Sequence, residues 1–274
     1  RSLVKDEALV TFALEALPMK LFPPLFKDAF TGKQHSILRV IMGAWPPPVA
    51  LVETPYLETL RLCWTAKEGK GVLQQICQKL EFGPSLCLKT PLEFLSIALC
   101  KYSQSDMESF AQCQSLHHLK HLHLAGIILH DLSLVPLGIF LENVANTLKT
   151  LELEHCRMTD SQVSAFIPAL NKCSQLISVN FCDNDISISV LTNLLHHTAN
   201  LSQLIMELFP APLECYETGF VLRAERFVQL SSELMNTLCT VRQPHSICFA
   251  SQLCLICSQH CTYGLETRLC HCCQ

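Results

Sequence analysis

Apolar positions along the chain fall into one short recurring phrase, apolar-x-x-apolar-x-apolar. It reads Leu92-Glu-Phe-Leu95-Ser-Ile97, Leu119-Lys-His-Leu122-His-Leu124, Leu148-Lys-Thr-Leu151-Glu-Leu153, Leu176-Ile-Ser-Val179-Asn-Phe181 and Leu201-Ser-Gln-Leu204-Ile-Met206. Successive copies start 27, 29, 28 and 25 residues apart. The alternation closing each phrase predicts a short strand that turns its apolar residues to one side and the residues between them to the other. Between strands the apolar spacing becomes helical. Thr159-Asp-Ser-Gln162 is a capping-box pattern ahead of Val163, Phe166, Ile167 and Leu170, and Ser187 stands similarly before Val190, Leu191, Leu194 and Leu195. Asp106 and Asp131 are expected to open the helices of the earlier copies. Cys100, Cys156 and Asn184 each follow the last apolar position of a copy by three, where a small or amide side chain can bond the backbone of the next turn.

This phrase at a period near 28 is a leucine-rich repeat. One strand and helix cannot cover their own apolar side, so each unit requires stacked neighbours. The expected fold class is therefore α/β: a solenoid resembling the ribonuclease-inhibitor horseshoe, with parallel strands inside and helices outside. Leu57-Glu-Thr-Leu60-Arg-Leu62 adds an earlier copy, 35 residues before Leu92. The repeats are expected over 51–209, after a helical N-terminal cap at 1–50 and before a C-terminal cap and cysteine-rich tail at 210–274. In the first cap, helices break near Pro18 and at Trp45-Pro46-Pro47-Pro48. Pro210 and Pro212 are expected to end the last strand, with a helix through Arg223, Phe227, Leu230, Leu234 and Leu238 covering the array.

Composition narrows the functional classes. Of 274 residues 49% are hydrophobic and 16% charged, ample for a core, and a net charge of −4 gives no electrostatic reason to expect nucleic acid. The longest apolar runs, such as Leu132 to Leu141, are too short and interrupted to span a bilayer, and no signal segment opens the chain, so a cytoplasmic or nuclear location is expected. Outward strand positions give Phe94, His121, His123, Thr150, Glu152, Ser178, Asn180 and Gln203. This mixed polar row suits a protein partner and lacks the basic stripe or interleaved aromatics of a nucleic-acid surface. No nucleophile, base and orienting acid stand together in the pattern, so catalysis is not expected.

The 17 cysteines are odd in number and scattered, and most are expected as reduced, small apolar residues. One group departs from this. Cys254-x-x-Cys257 followed by Cys270-x-Cys272 has the spacing that lets two close pairs supply four thiolates to one ion, which makes structural zinc the candidate cofactor.

Several segments also carry a resemblance. Lys5-Asp-Glu-Ala-Leu9, Leu17-Pro-Met-Lys-Leu21-Phe-Pro-Pro-Leu-Phe26, Ala44-Trp45-Pro46, Thr54-Pro-Tyr-Leu-Glu-Thr59, Asn184-Asp-Ile-Ser-Ile-Ser189 and Pro210-Ala-Pro-Leu-Glu-Cys-Tyr-Glu217 together resemble the PRAME family of leucine-rich repeat proteins. The likeness covers nearly the whole chain and leans to the oocyte-type members. Family members are longer, which implies repeats missing between about Leu62 and Pro91 and a shortened arc. The resemblance implies adaptor work, because some members are substrate receptors of cullin-2 RING ubiquitin ligases. One box of such receptors binds elongin B and C, and a following proline-containing box contacts cullin-2. Leu17, Pro18 and Leu21 match the apolar-Pro-x-x-apolar form of the second box. The first box is expected mostly upstream of Arg1, with Ser2 and Leu3 as its tail. The alternative is a scaffold or transcriptional repressor that binds regulators through the same surface without ubiquitin transfer.

Overall fold

The computed structural model describes residues 59–63, 77, 91–98, 102–217, 221–254, 256–264 and 267–273. The expected N-terminal cap, its Leu17-Pro18-x-x-Leu21 segment and Cys100 lie outside them. Within them the chain is mixed α/β. Strands β1 (Thr59–Cys63), β2 (Phe94–Ala98), β3 (His121–Ala125), β4 (Thr150–Glu152), β5 (Ser178–Asn180), β6 (Met206–Pro210), β7 (Ser246–Ala250) and β8 (Thr262–Gly264) form one sheet in sequence order. β1 to β7 are parallel neighbours, and β8 closes the edge antiparallel to β7. Helices α1 (Gln104–Gln112), α2 (Val135–Asn143), α3 (Asp160–Leu170), α4 (Ile188–Thr198) and α5 (Ala224–Val241) connect β2 through β7.

Register follows the apolar phrase. Leu60 pairs with Leu95, Leu95 with Leu122, Leu122 with Leu151 and Leu151 with Val179, so one column of buried side chains runs under the sheet. The next inward column ends in Phe181, Phe209 and Phe249, stacked at 6.0 and 5.9 Å between centroids. Offset ring pairs at this spacing add to the burial of large apolar area, and all three rings are fully buried.

Three of these five helices begin behind a hydroxyl cap, and α2 and α5 do not. Thr159 and Gln162 form the expected capping box of α3. In α1 the cap is Ser103, and Asp106 is its partner within the first turn, closing the reciprocal box at 2.9 Å from the Ser103 N–H. Asp131 does not open a helix. α2 starts four residues later behind Leu134, with Pro136 in its first turn, where a missing N–H costs no helical bond. The residues after the strands behave as expected in two copies: the Cys156 thiol donates to Leu124 O, and Asn184 Nδ2 donates to Leu153 O at 2.7 Å and Phe181 O at 2.8 Å.

Two differences arise at the C-terminal side. Ser178 pairs with Met206, which aligns Leu204 with Leu176, an interval of 204 − 176 = 28 residues. The sixth copy therefore begins at Leu204, three positions later than expected. Leu201 and Leu204 are both buried and three apart, so they imitate the opening of the phrase. The true second slot holds Glu207, a charged residue that breaks the apolar alternation. The parallel sheet also continues beyond 209: Glu207 pairs with Ile247 and Phe209 with Phe249, so β7 is a further unit inside the region expected to be cap. β8 lies so close to β7 that a Cβ added to Gly264 would meet Ile247 O at 2.2 Å.

Candidate functional site

The strand residues that face away from the helices form two rows, matched by the parallel register. One row runs Phe94, His121, Thr150, Ser178, Met206, Ser246, and the other Ser96, His123, Glu152, Asn180, Leu208, Cys248. Phe94, His121, His123, Thr150, Glu152, Ser178 and Asn180 thus share one face, partly exposed. Gln203 does not share it. It is exposed in the turn ahead of β6, because the later register gives the outward places to Met206 and Leu208. Sequence reasoning missed these two residues, and also Ser246 and Cys248 on β7. Ile247-x-Phe249, in phase with a strand after the long helix, was the available signal.

The polar part of the face is internally braced. His121 Nδ1 lies 2.9 Å from Thr150 Oγ1, His123 Nε2 lies 3.3 Å from the same oxygen, and His123 Nδ1 lies 3.2 Å from Glu152 Oε2. The Phe94 ring meets His123 edge-on at 4.7 Å. Burial, then the charges of His123 and Lys149, lower the His121 pKa. Burial raises that of Glu152, with His121 opposing. Asn180 donates to Glu154 at 3.2 Å and accepts from Cys182 N–H. On β6 the face turns apolar, where Met206 is 48% and adjacent Ile205 52% exposed.

At the end of the sheet Cys254, Cys257, Cys270 and Cys272 come together, all four Sγ atoms within 4.8 Å of one another, so the group could hold a metal ion. A tight turn arranges the first pair: Cys254 N–H donates to Gln259 O at 2.9 Å, Ser258 N–H donates to Cys254 O at 2.8 Å, and Ser258 takes φ 54°. The N–H groups of Cys257 and Ile256 point at the Cys254 sulfur and bring its pKa down to about 6. Partial desolvation, then the Cys257 sulfur, pushes Cys272 up to about 11. His260 and Cys261 stand outside the cluster, His260 Nδ1 on Ser251 O at 2.5 Å and the buried Cys261 sulfur accepting from Cys270 N–H at 3.2 Å. Two buried cysteines of the repeats behave as apolar residues: burial takes the Cys156 and Cys173 thiols to about 12, far from thiolate at neutral pH. Among the described residues no helix is long and apolar enough to cross a membrane.

Fold and site together define an α/β protein of tandem strand–helix units that displays one side of a continuous sheet and gathers four thiols at its end. Sequence profiles of the PRAME C-terminal domain and the PRAME N-terminal domain match residues 77–273 and 1–79. The chain belongs to the PRAME family. It is 50% identical over 188 residues to mouse preferentially expressed antigen in melanoma-like protein 7, a match covering 68% of this chain and 39% of that protein. Human PRAME family member 12 is 46% identical over 191 residues (69% and 40%), and mouse oogenesin-2 is 44% identical over 184 residues (67% and 39%). The matched segment thus spans less than half the length of these relatives.

Proposed function

We propose that this chain is a leucine-rich-repeat solenoid that selects client proteins for a cullin-2 RING ubiquitin ligase, and so for proteasomal degradation. The observation that carries the recognition half is the pair of register-matched side-chain rows across six parallel strands, β2 to β7. Strands about 4.8 Å apart make those rows roughly 24 Å long, enough for about seven residues of extended client chain. Side chains held on a hydrogen-bonded sheet lose little freedom on binding, so their contacts are not spent on ordering the site. The braced His121–Thr150–His123–Glu152 group offers hydrogen bonds, and Met206 beside Ile205 offers an apolar patch. The ligase half rests on family membership and on the Leu17-Pro18-x-x-Leu21 segment, which has the apolar-Pro-x-x-apolar form of a cullin-contacting box. In this reading the four-thiol cluster is structural, not catalytic.

Affinity purification of the chain from cells tests the two halves separately. With the box expected upstream of Arg1 included, the unmodified full-length protein recovers cullin-2 with elongin B and C, and Pro18→Ala with Leu21→Ala loses cullin-2 while keeping clients. His123→Ala with Met206→Asp on the sheet face loses clients while keeping cullin-2. Cullin-2 recovery that is absent, or indifferent to the first pair, refutes the ligase half. Client loss through the second pair alone then leaves the scaffold or transcriptional repressor.

A further inference from the structure

The four cysteines at the C-terminal end do more than lie near one another. We infer that Cys254, Cys257, Cys270 and Cys272 bind one Zn²⁺ in a closed tetrathiolate site, and that this ion fastens the strand that ends the sheet. The inference stands apart from the receptor reading, since it concerns how the sheet is finished and not what the sheet binds.

Three observations carry it. The first is ligand count and spread. Zinc–thiolate bonds of about 2.3 Å place tetrahedral sulfurs roughly 3.8 Å apart, so sulfurs already within 4.8 Å of one another need only a small inward adjustment. The second is the turn. Chain reversal at Cys254–Gln259, with Ser258 in the left-handed region, brings two sulfurs to the same side and aims the N–H groups of Ile256 and Cys257 at one and that of Gln259 at the other. Four thiolates around Zn²⁺ leave a net charge of −2, and main-chain donors onto sulfur offset such a charge as an outer shell does. The third is access and surroundings. Cys270 is buried while Cys272 is exposed, so the cluster has an inner wall and an open entrance.

The position explains what the ion does. β8 has three residues, pairs with β7 as its one neighbouring strand among the described residues, and is continued by the Thr262–Arg268 bridge. The ligand pairs bracket it on both sides in sequence. Joining residue 257 to residue 270 through a metal closes a loop around β8 and keeps that short edge strand on the sheet, which withholds the edge of β7 from other chains.

The test uses the intact chain purified under reducing conditions. Metal analysis is expected to find about one zinc per folded chain. Cys254→Ser and Cys272→Ser each lose it, whereas Cys239→Ser, an exposed position of α5 that is not part of the cluster, keeps it. Should the serine variants fail to fold, Co²⁺ exchanged into the unmodified chain supplies the second reading: a tetrathiolate site gives intense visible bands of tetrahedral cobalt and thiolate-to-metal charge transfer. Hydrogen exchange at Thr262–Gly264 rises when the ion is chelated. A folded chain without zinc, cobalt bands of an octahedral oxygen site, or a mass lower by four hydrogens from two disulfides overturns the inference.

Discussion

Arg242→Met is expected to be among the most damaging single changes to a polar residue in this chain, and a second substitution is expected to cure it. Glu207 fills the slot that Val179 and Ile247 fill on the strands beside it, and it is fully buried. Its partner is Arg242, just past the end of α5, with Nη2 2.5 Å from Oε2 and a side chain 13% exposed. Opposite charge at this distance holds the pair together and opposes the effect of burial on the Glu207 carboxyl. Removing the guanidinium leaves a carboxylate in an apolar column, a loss of about 3–5 kcal/mol. Replacing both, as Glu207→Leu with Arg242→Met, restores the column and is expected to fall between neutral and about 4 kcal/mol more stable than the parent. Acid discriminates further. Burial raises the Glu207 pKa above its ordinary value against the pull of Arg242, and the single variant removes that pull. Between the ordinary carboxylate pKa and the raised one, the folded state then holds more protons than the unfolded state, so stability falls as pH rises through that window. The defect is therefore greatest at neutral pH and eases on acidification. Urea unfolding followed by circular dichroism at several pH values measures this. An Arg242→Met midpoint equal to the parent's at neutral pH, or a double variant as weak as the single, refutes the reasoning.

Two other perturbations follow from the same structure. Asn184→Ala removes donors to Leu153 O, Phe181 O and Cys182 O and the acceptor of Met158 N–H, all buried, so a loss of about 3 kcal/mol or more is expected in urea unfolding; a change below about 0.5 kcal/mol would mean that these backbone groups find other partners. His121 has its pKa lowered chiefly by burial, so the unfolded chain takes up its proton first as pH falls and folded stability declines from the ordinary histidine pKa down to the lowered one. His121→Gln should flatten that part of the unfolding profile, and an unchanged profile would assign the titration elsewhere.

Much of this architecture was legible because burial and hydrogen bonding leave marks at fixed spacing. Leu95, Leu122, Leu151 and Val179 fall in register because each can be covered only by its neighbour, and the Thr159–Gln162 box announces α3 because it satisfies N–H groups that the helix itself cannot. The four cysteines were legible for a different reason, since metal-type spacing at the ends of two turns survives whatever fold carries it. What misled was a slot whose chemistry comes from far along the chain. Glu207 is stable in an apolar column only through Arg242, 242 − 207 = 35 residues away, and no local pattern records that. With Glu207 reading as a surface residue, Leu201 and Leu204 supplied the nearest apolar pair, and the strand slid by three positions. The slip also misstates the chemistry of the sheet face. It puts Gln203 and Ile205 where the sheet presents Met206 and Leu208, and so hides half of the change from hydrogen-bonding groups on β3 and β4 to an apolar surface on β6. The same charged pair therefore sets both the stability of the sixth strand and which side chains that strand can display.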